Sequence, residues 1–293
     1  MTSTAIIFIY GSQRDFDEAI KNSKSLPFDE ILIAAGGELN FPDPDKMKAL
    51  PKVRIFKEEQ RLGKTVAYNR VIRQVKGSTV FLISGDVRYE PNMPLKLMEN
   101  LDPDAGMVIP RIIPERNDKL SGRVGNLIWM AHSLYNTVRF ESKSFFCGGE
   151  FQMLVGTPPA IPENIINDDE YLGNLVFSSG KKIIYRNDLI VKNRVPDNFI
   201  NLLRQRIRVN YGHMQCLKIL GKTSSFSIGF ISNLKMSLNI LRKLIDGDIV
   251  ETYTLFLAVL IELTSLVISR MNYLLKVDMT KWKLVSPDAG GLK

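Results

Sequence analysis

The sequence predicts an α/β fold in which a mainly parallel sheet is flanked by helices. In the first half of the chain, short apolar runs with strand composition alternate with segments of helical periodicity. Three of these runs end in glycine-containing turns, at Tyr10–Ser12, Ala35–Gly37 and Ser84–Asp86. Short strands that alternate with helices form parallel sheets covered on both faces. Since ligands bind beyond the carboxyl ends of such strands, the three turns mark the expected ligand edge.

The composition allows a substantial core and favours an acidic partner. The 293 residues are 45% hydrophobic and 24% charged, enough for one large domain with an appendage or for two modest domains. A net charge of +8 suits nucleic acid, nucleotide phosphates or an anionic membrane surface, and does not choose among them. Cys147 and Cys216 have no metal-type spacing and no disulfide framework, so a reducing compartment is expected. The first residues lack the basic region of a signal peptide.

The elements of the first half follow from local patterns. Predicted strands are rich in β-branched and aliphatic residues, and comprise Ala5–Tyr10, Glu30–Gly37, Lys52–Glu58 and Ser78–Ser84. Two helices are predicted between them, over Phe16–Ser23 and Gly63–Val75. Asp86 comes directly after the fourth strand. Its carboxylate is therefore expected at the edge where ligands bind.

The middle of the chain is less regular. A strand is predicted over Gly106–Pro110 and an amphipathic helix over Asn126–Tyr135. Phe145–Val155 has paired glycines between apolar runs, which indicates a strand that passes close to a ligand or to another backbone. Asn167–Tyr185 has an acidic helix start, a glycine where the helix ends and then a strand. Leu202–Leu220 is predicted to be a strongly basic helix.

The composition changes after Gly221. Two later segments, Phe226–Ile245 and Thr254–Leu275, are apolar with interspersed charges. A membrane span needs about 20 mostly apolar residues, and Glu262 and Arg270 interrupt the second segment. We therefore favour helices that lie in the membrane interface, and leave open a true span and helices packed in a core or dimer. The expected units are a sheet domain at 1–220 and a helical unit at 221–293.

Four motifs in chain order carry a family resemblance. Phe81–Pro91 is similar to an apolar strand followed by Asp-x-Asp and then Glu/Asp-Pro, with Ser84 in the place of the first Asp and Asp86 as the second. Asp168–Leu172, with a later glycine before a strand, resembles Glu-Asp-x-x-Leu. Gln205–Val209 resembles Gln-x-x-Arg-Trp, with valine at the last position. These motifs and Gly63–Asn69, which matches Gly-x-x-x-Ala-x-Asn, resemble family 2 glycosyltransferases of the GT-A fold.

The resemblance implies a metal site and a general base. Asp86 would bind Mn²⁺ or Mg²⁺, which prefers oxygen ligands and offsets the charge of a nucleotide-sugar diphosphate. Asp169 would be the base that takes the proton of the acceptor hydroxyl, with Asp168 as its acidic neighbour. Both positions also have structural explanations, because aspartate favours turns and helix starts.

The resemblance also implies the residues that bind the donor. Tyr10, Ser12 and Glu38 would surround the nucleotide base, and Ser84 would replace the aspartate that usually meets the ribose. The complete expected donor set is Tyr10, Ser12, Glu38, Lys64, Asn69, Ser84, Gln205 and Arg208. Arg208 would face the diphosphate or a phosphorylated acceptor, whereas Arg206 would instead face anionic lipid because it lies two positions away on the helix. A solvated basic helix face is the alternative explanation for both arginines.

The predicted function is inverting, metal-dependent transfer of a hexose from a nucleotide sugar to a lipid-linked or glycan acceptor. An anionic membrane surface is the expected partner, and the cytoplasmic face of the cell membrane is the expected location. A nucleotidyltransferase is an alternative, although the residues after the first strand make a poor phosphate loop. A non-catalytic nucleotide-sugar-binding module is a second alternative. Nucleic acid is not expected, since basic and aromatic residues do not interleave on a strand. The sugar, the nucleotide, the acceptor and the oligomeric state stay open.

Overall fold

The structure is a computed structural model that describes residues 2–60, 62–228, 238–240, 242–244 and 252–280. Its strands are β1 (Ser3–Tyr10), β2 (Glu30–Gly36), β3 (Val53–Glu58), β4 (Thr79–Ser84), β5 (Val87–Arg88), β6 (Ala105–Pro114), β7 (Phe151–Val155) and β8 (Lys182–Asn193). The helices with defined bounds among the described residues are α1 (Gln13–Asn22), α2 (Pro44–Lys48), α3 (Lys64–Ile72), α4 (Met93–Met98), α5 (Leu120–Glu141), α6 (Asp168–Ser178), α7 (Phe199–Leu220) and α8 (Thr252–Leu274).

The strands of the described residues form one mixed sheet with the order β3-β2-β1-β4-β7-β6-β8-β5. The first four strands in this order are parallel, β7 runs antiparallel to both β4 and β6, and β6 is parallel to β8. The predicted α/β fold with a mainly parallel sheet is confirmed. The carboxyl ends of β1, β2 and β4 meet at one edge, as the three glycine turns indicated.

Helices cover both faces of the sheet because the central strands carry apolar residues on both faces. Successive residues of a strand point to opposite faces, so Ile7 packs in the cluster that contains Phe16 of α1, and Ile6 in the cluster that contains Tyr68 of α3. All four side chains are at most 4% exposed. This burial on two faces explains why the strands read as continuous apolar runs rather than as alternating ones.

The paired glycines of the middle segment mark a close backbone approach. The strand predicted over Phe145–Val155 begins only at Phe151. The preceding residues lie outside the sheet, and a Cβ on Gly148 would come within 2.5 Å of the Ile109 side chain. The helix predicted over Asn126–Tyr135 is present but longer than its amphipathic pattern, since α5 extends from Leu120 to Glu141.

The last described helix, α8, packs its polar stripe on the rest of the molecule. Asn210 of α7 donates a hydrogen bond from Nδ2 to Ser265 Oγ (2.8 Å), and Ser269 Oγ donates to the Ile207 carbonyl (2.7 Å). Ala258 joins a buried cluster with residues of α5 and α7. Much of the predicted helix over Phe226–Ile245 lies outside the described residues, and a unit boundary at residue 220 stays a prediction.

The opposite face of α8 is apolar and exposed. Its exposed large side chains include Phe256, Val259, Leu260, Leu263, Val267, Met271 and Leu274. Tyr253–Leu274 is long and apolar enough to cross a membrane, and 22% of its most apolar window is buried inside the protein. The helix therefore combines a packed face with an unpacked one.

Candidate active site

Two clefts meet at the carboxyl edge of the sheet. The first, which we call the strand cleft, has a volume of about 300 Å³ and is lined by the ends of β1 and β4, the start of α3 and Thr280. The second, the helix cleft, has a volume of about 250 Å³ and is lined mainly by α5, α6 and α7. Both are lined by the same four side chains, those of Lys64, Ser84, Asp86 and Arg208. A ligand that spans the clefts would contact all four.

Asp86 occupies the junction because the turn before it is tightly packed. The Gly85 N–H donates to the Phe8 carbonyl (3.0 Å), and a Cβ on Gly85 would come within 2.5 Å of Ile9. Burial, and then the charge of Asp15, raise the pKa of the Asp86 carboxyl, while Arg194 and Lys64 act in the opposite direction. The sequence therefore brings a desolvated carboxylate to the shared wall of the clefts.

The acidic start of α6 is held in place by α3. Thr65 Oγ1 donates to the Glu163 carbonyl (2.7 Å), and the Tyr68 hydroxyl donates to the Pro159 carbonyl (2.8 Å). Asn69 bonds Ile161 twice, since its Nδ2 donates to the carbonyl (2.6 Å) and its Oδ1 accepts from the N–H (2.9 Å). These bonds fasten the loop that leads into α6. Asn69 therefore clamps this loop and does not line either cleft.

A second set of bonds fastens the same loop to α7. Gln215 accepts from the Ile166 N–H through Oε1 (3.0 Å), and Asn167 Nδ2 donates to the Val209 carbonyl (3.0 Å). Gly212 makes room for this asparagine, because a Cβ at Gly212 would lie 2.3 Å from Asn167 Oδ1. The position of the following aspartates thus depends on a close contact between the loop and α7.

Replacing Gly212 by alanine should loosen this contact. The added methyl group must displace the Asn167 side chain, and overpacking of this kind costs about 1–3 kcal/mol of the free energy of unfolding. Denaturation in urea measures the loss, and any enzymatic turnover should fall with it because Asp169 shifts. Arg204→Ala is the matched control, since Arg204 is exposed on the same helix and its loss should change stability by less than about 0.5 kcal/mol. Equal stability of the two variants would contradict the packing argument.

Asp168 and Asp169 are adjacent in sequence but differ in surroundings. Asp168 is 3% exposed, and its Oδ2 lies 2.9 Å from Lys64 Nζ. Burial alone would lower the pKa of Lys64, but the charges of Asp168 and Asp169 raise it above its ordinary value. Asp169 lines the helix cleft, and burial, followed by the charge of Asp168, raises its pKa. Lys64 therefore neutralises one aspartate and leaves the other facing the cleft as a potential proton acceptor.

The third acid of the motif has a structural role. Glu170 is fully buried and accepts from the Ser224 N–H (2.6 Å), while its other oxygen lies 2.7 Å from His213 Nδ1. Burial opposes ionisation of Glu170, but His213 and the hydrogen bonds hold its pKa below the ordinary value. Glu170 thus joins α6 to α7 and to the segment after α7.

Two functional candidates were missed by sequence reasoning. Glu150 lines the helix cleft, and burial, followed by the charges of Asp169 and Asp86, raises its pKa to about 8. The preceding paired glycines were the available signal, because they indicated a close approach at this point. His132 of α5 lines the same cleft, and burial lowers its pKa to about 3, so its imidazole is neutral. An isolated histidine in a helix carries no comparable sequence signal.

The remaining predicted site residues divide into two groups. Tyr10 lines the strand cleft, and Gln205 lines the helix cleft with its Oε1 buried and without a hydrogen-bond partner among the described residues. Ser12 instead caps α1, where its Oγ accepts from the Asp15 N–H (3.3 Å). Glu38 is exposed, and neither it nor Ser12 is among the residues that line the two clefts.

The expectation that Arg206 faces lipid is wrong. Its side chain is 11% exposed and forms an ion pair with Glu262 of α8, which also accepts a hydrogen bond from Ser227. Arg206 also lines the helix cleft. The carboxylate of Glu262, which interrupts the apolar sequence of α8, therefore faces inward. Its ion pair with Arg206 joins α8 to the wall of the helix cleft.

Comparison with known proteins decides the family. The model of Glycosyl transferase family 2 matches residues 4–157, just over half of the chain. The chain belongs to glycosyl transferase family 2. This confirms the resemblance that the four motifs indicated, and makes the protein a member of a glycosyltransferase family. No curated protein matches the chain.

Solved structures with the same fold include enzymes that bind nucleotides and divalent cations. One is the mannosyltransferase PcManGT from Pyrobaculum calidifontis in complex with GDP-Man and Mn²⁺, with 14% identity, a TM-score of 0.65 and coverage of 94% of this chain and 87% of that one. Another is glucosyl-3-phosphoglycerate synthase from Mycobacterium tuberculosis in complex with Mg²⁺ and uridine-diphosphate, with 17% identity, a TM-score of 0.50 and coverage of 76% and 81%. At these identities the likeness establishes the fold, and the predicted GT-A fold is confirmed.

The residues at the junction fit a divalent cation of the kind these neighbours carry. Mn²⁺ and Mg²⁺ prefer oxygen ligands, and the carboxylate of Asp86 faces both clefts. Among the described residues, no group of three or more His, Cys, Asp or Glu side chains could hold a metal ion. The protein would therefore supply few ligands, and the remaining ones would come from a diphosphate and water.

Proposed function

We propose that the protein is an inverting, metal-dependent glycosyltransferase that moves a hexose from a nucleotide-diphosphate donor to a lipid-linked acceptor. The observation that carries this proposal is that Asp86, in the turn after β4, and Asp169, in α6, line one cleft. Lys64 and Arg208 bring positive charge to the same cleft. This arrangement provides a metal ligand, cations for phosphate and a proton acceptor around one reaction centre.

The strand cleft would hold the nucleotide. Tyr10 offers a ring at the end of β1, and this ring packs closely against Gly36, the last residue of β2. Lys64 and Arg208 would meet the phosphates as charge-assisted donors, and Ser84 would meet the ribose. Gln205 would contact the donor from the helix cleft. A divalent cation held by Asp86 and the phosphates would offset the charge that develops on the leaving nucleoside diphosphate.

Asp169 would act as the general base. Its carboxylate accepts the proton of the acceptor hydroxyl as that oxygen attacks the anomeric carbon. The raised pKa improves proton acceptance near neutral pH, and its causes are burial and the adjacent Asp168. Asp168 itself is paired with Lys64, so it would tune and position the base rather than take the proton. A single base and a direct displacement would invert the anomeric configuration.

The acceptor would enter from the side of α8. Ile128 and Trp129 of α5 give the helix cleft an apolar wall, and Arg206 joins this wall to Glu262 of α8. An acceptor with a hydrocarbon chain and a phosphate matches such a mixed surface. The exposed apolar face of α8 would lie in the interface of the cytoplasmic membrane leaflet, with Arg270 and Lys276 exposed toward the head groups.

A donor panel tests the activity. The full chain is incubated with Mn²⁺ and with UDP-, GDP- and dTDP-sugars, in the presence and absence of polyprenyl phosphate vesicles, and nucleoside diphosphate release is measured. Release that depends on Mn²⁺, on one donor and on the acceptor supports the proposal. Tight binding of a nucleotide sugar without turnover under any condition would instead support a non-catalytic binding module.

The membrane part of the proposal predicts the behaviour of the protein with liposomes. The full chain should float with anionic liposomes, and less so in high salt, because apolar burial and charge attraction both contribute. Combined Phe256→Ser, Leu263→Ser and Val267→Ser substitutions remove exposed apolar groups and should abolish flotation. Truncation after α7 is a poorer test, because it would uncover the α7 and α5 surfaces that α8 covers.

Leu95→Ser combined with Ile190→Ser is the matched control. Both residues are 45% exposed and lie on α4 and β8, away from α8. This control should float like the wild type. If the wild type stays in solution, the membrane location is wrong and the apolar face of α8 serves another contact.

A further inference from the structure

Glu150 is positioned rigidly at the junction of the clefts. Its carbonyl accepts from the Ser84 N–H (2.8 Å), directly beside the first pair of the β4–β7 ladder, Ile83 with Phe151. Ser84 is the last residue of β4, and Asp86 lies in the turn that follows it. The backbone of Glu150 is therefore part of the sheet framework that also orients the proposed metal ligand.

Its side chain lies between the two proposed reaction partners. Glu150 lines the helix cleft together with Asp86 and Asp169, and it interacts electrostatically with both and with Lys64. The neighbouring Gly149 lies against the base, since a Cβ there would be 3.1 Å from Asp169 Oδ2. Glu150 thus follows a glycine that allows the strand to approach the base closely.

One oxygen of the Glu150 carboxyl lacks a hydrogen-bond partner among the described residues. Its Oε2 is buried and has no hydrogen bond to any of them. A buried acceptor without a donor is costly, so a ligand or a water molecule that enters the cleft would be expected to donate to it. A carboxyl group offers several acceptor sites, and one O–H donor while it is protonated, which suits the paired hydroxyls of a sugar ring.

We infer that Glu150 binds hydroxyl groups of the transferred sugar and thereby helps to select the donor. This inference rests on the proposed function. The anomeric carbon is bonded to the diphosphate, which would lie at Asp86, and is attacked by the acceptor oxygen, which would lie at Asp169. The sugar ring must therefore lie between those two carboxylates, where Glu150 is the further acidic group. A role as a second metal ligand is the competing explanation, and the experiment separates the two.

The experiment compares donors with and without their sugar. Calorimetry in the presence of Mn²⁺ measures the affinities of UDP, GDP, UDP-glucose, UDP-galactose and GDP-mannose for the wild type, Glu150→Ala and Glu150→Gln. For the best donor, we expect Glu150→Ala to weaken nucleotide-sugar binding about 10-fold, while the affinity for the nucleoside diphosphate stays within about 2-fold. Glu150→Gln, which keeps the size of the side chain, should weaken nucleotide-sugar binding by a smaller factor. Discrimination between glucose and galactose donors should also fall.

The outcomes distinguish this inference from the proposed function. Equal weakening of UDP or GDP and of the nucleotide sugar would make Glu150 a metal or diphosphate ligand and overturn the inference. Unchanged nucleotide-sugar affinity in both variants would also overturn it, while leaving the proposed function intact. A wild-type protein that binds no nucleotide sugar at all would reject both. Glu141→Gln, an exposed substitution at the end of α5, is the control and should match the wild type in every measurement.

Discussion

Asp169→Asn should lower kcat by about 10²–10⁴ while donor binding is retained. Asparagine has nearly the same size and shape as aspartate, but its amide does not accept the proton of the acceptor hydroxyl. The nucleotide would be bound mainly by the strand cleft, which Asp169 does not line. Steady-state turnover with the best donor measures the first effect, and calorimetry with the same nucleotide sugar and Mn²⁺ measures the second.

The pH dependence of the reaction rate is an independent test of Asp169 as the general base. The base works only in its deprotonated form, so the rate should rise with pH through the pKa of Asp169. Burial and Asp168 raise this pKa, which places the acidic limb of the profile above the ordinary aspartate value of 3.8. Asp17→Asn, an exposed substitution on α1, should leave the rate and the profile unchanged. Activity of Asp169→Asn within a few-fold of the wild type would show that another group takes the proton.

Asp86→Ala should abolish the Mn²⁺-dependent part of donor binding. The clefts share one carboxylate at their junction, so its loss removes the proposed protein ligand to the cation. Calorimetric titration of UDP and GDP, with Mn²⁺ and with EDTA, measures the effect. Wild-type affinity should drop when EDTA replaces Mn²⁺, whereas the affinity of the variant should be low and the same under both conditions.

The fold of the Asp86 variant should survive the substitution. Burial raises the pKa of Asp86, which means that its ionised form is less favourable in the folded protein than in the unfolded chain. Ionisation of Asp86 therefore destabilises the folded protein as the pH rises. At neutral pH, the free energy of unfolding of Asp86→Ala should equal or exceed that of the wild type. Reduced donor binding with unchanged stability would locate the defect in the site. Unchanged affinity and unchanged metal dependence would reject Asp86 as the metal ligand.

Local sequence patterns were sufficient for the fold and for part of the site. A buried parallel strand must be apolar at successive positions, and it must end in a turn, so the position of Asp86 followed from the residues on either side of it. The acidic start of α6 followed in the same way from the helix pattern after it. The family model ends at residue 157, so the later motifs of α6 and α7 had to be read from their own spacing.

The direction of individual side chains could not be predicted in this way. Asn69 belongs to a motif that indicated donor binding, yet its partner Ile161 is 92 residues away in sequence and draws the amide into a loop clamp. Ser12 follows the first strand as expected, but the helix that begins next takes its hydroxyl as a cap. In both cases the side chain bonds the nearest unsatisfied backbone group, and only the folded chain determines which group that is.

In α8, too, the sequence determined some features and the tertiary structure decided others. The sequence by itself determined that residues 252–274 form an apolar segment with a single acid near the middle, which left a span, an interface helix and a packed helix open. The tertiary structure decided that the acid and the serines face α7, where Arg206 pairs with Glu262, and that the apolar side faces outward. A buried carboxylate needs a counter-charge, and 56 residues separate this one from its arginine, so no local pattern records the pairing. Glu150 became a candidate for the same reason, because strand pairing and helix packing bring it beside Asp86 and Asp169.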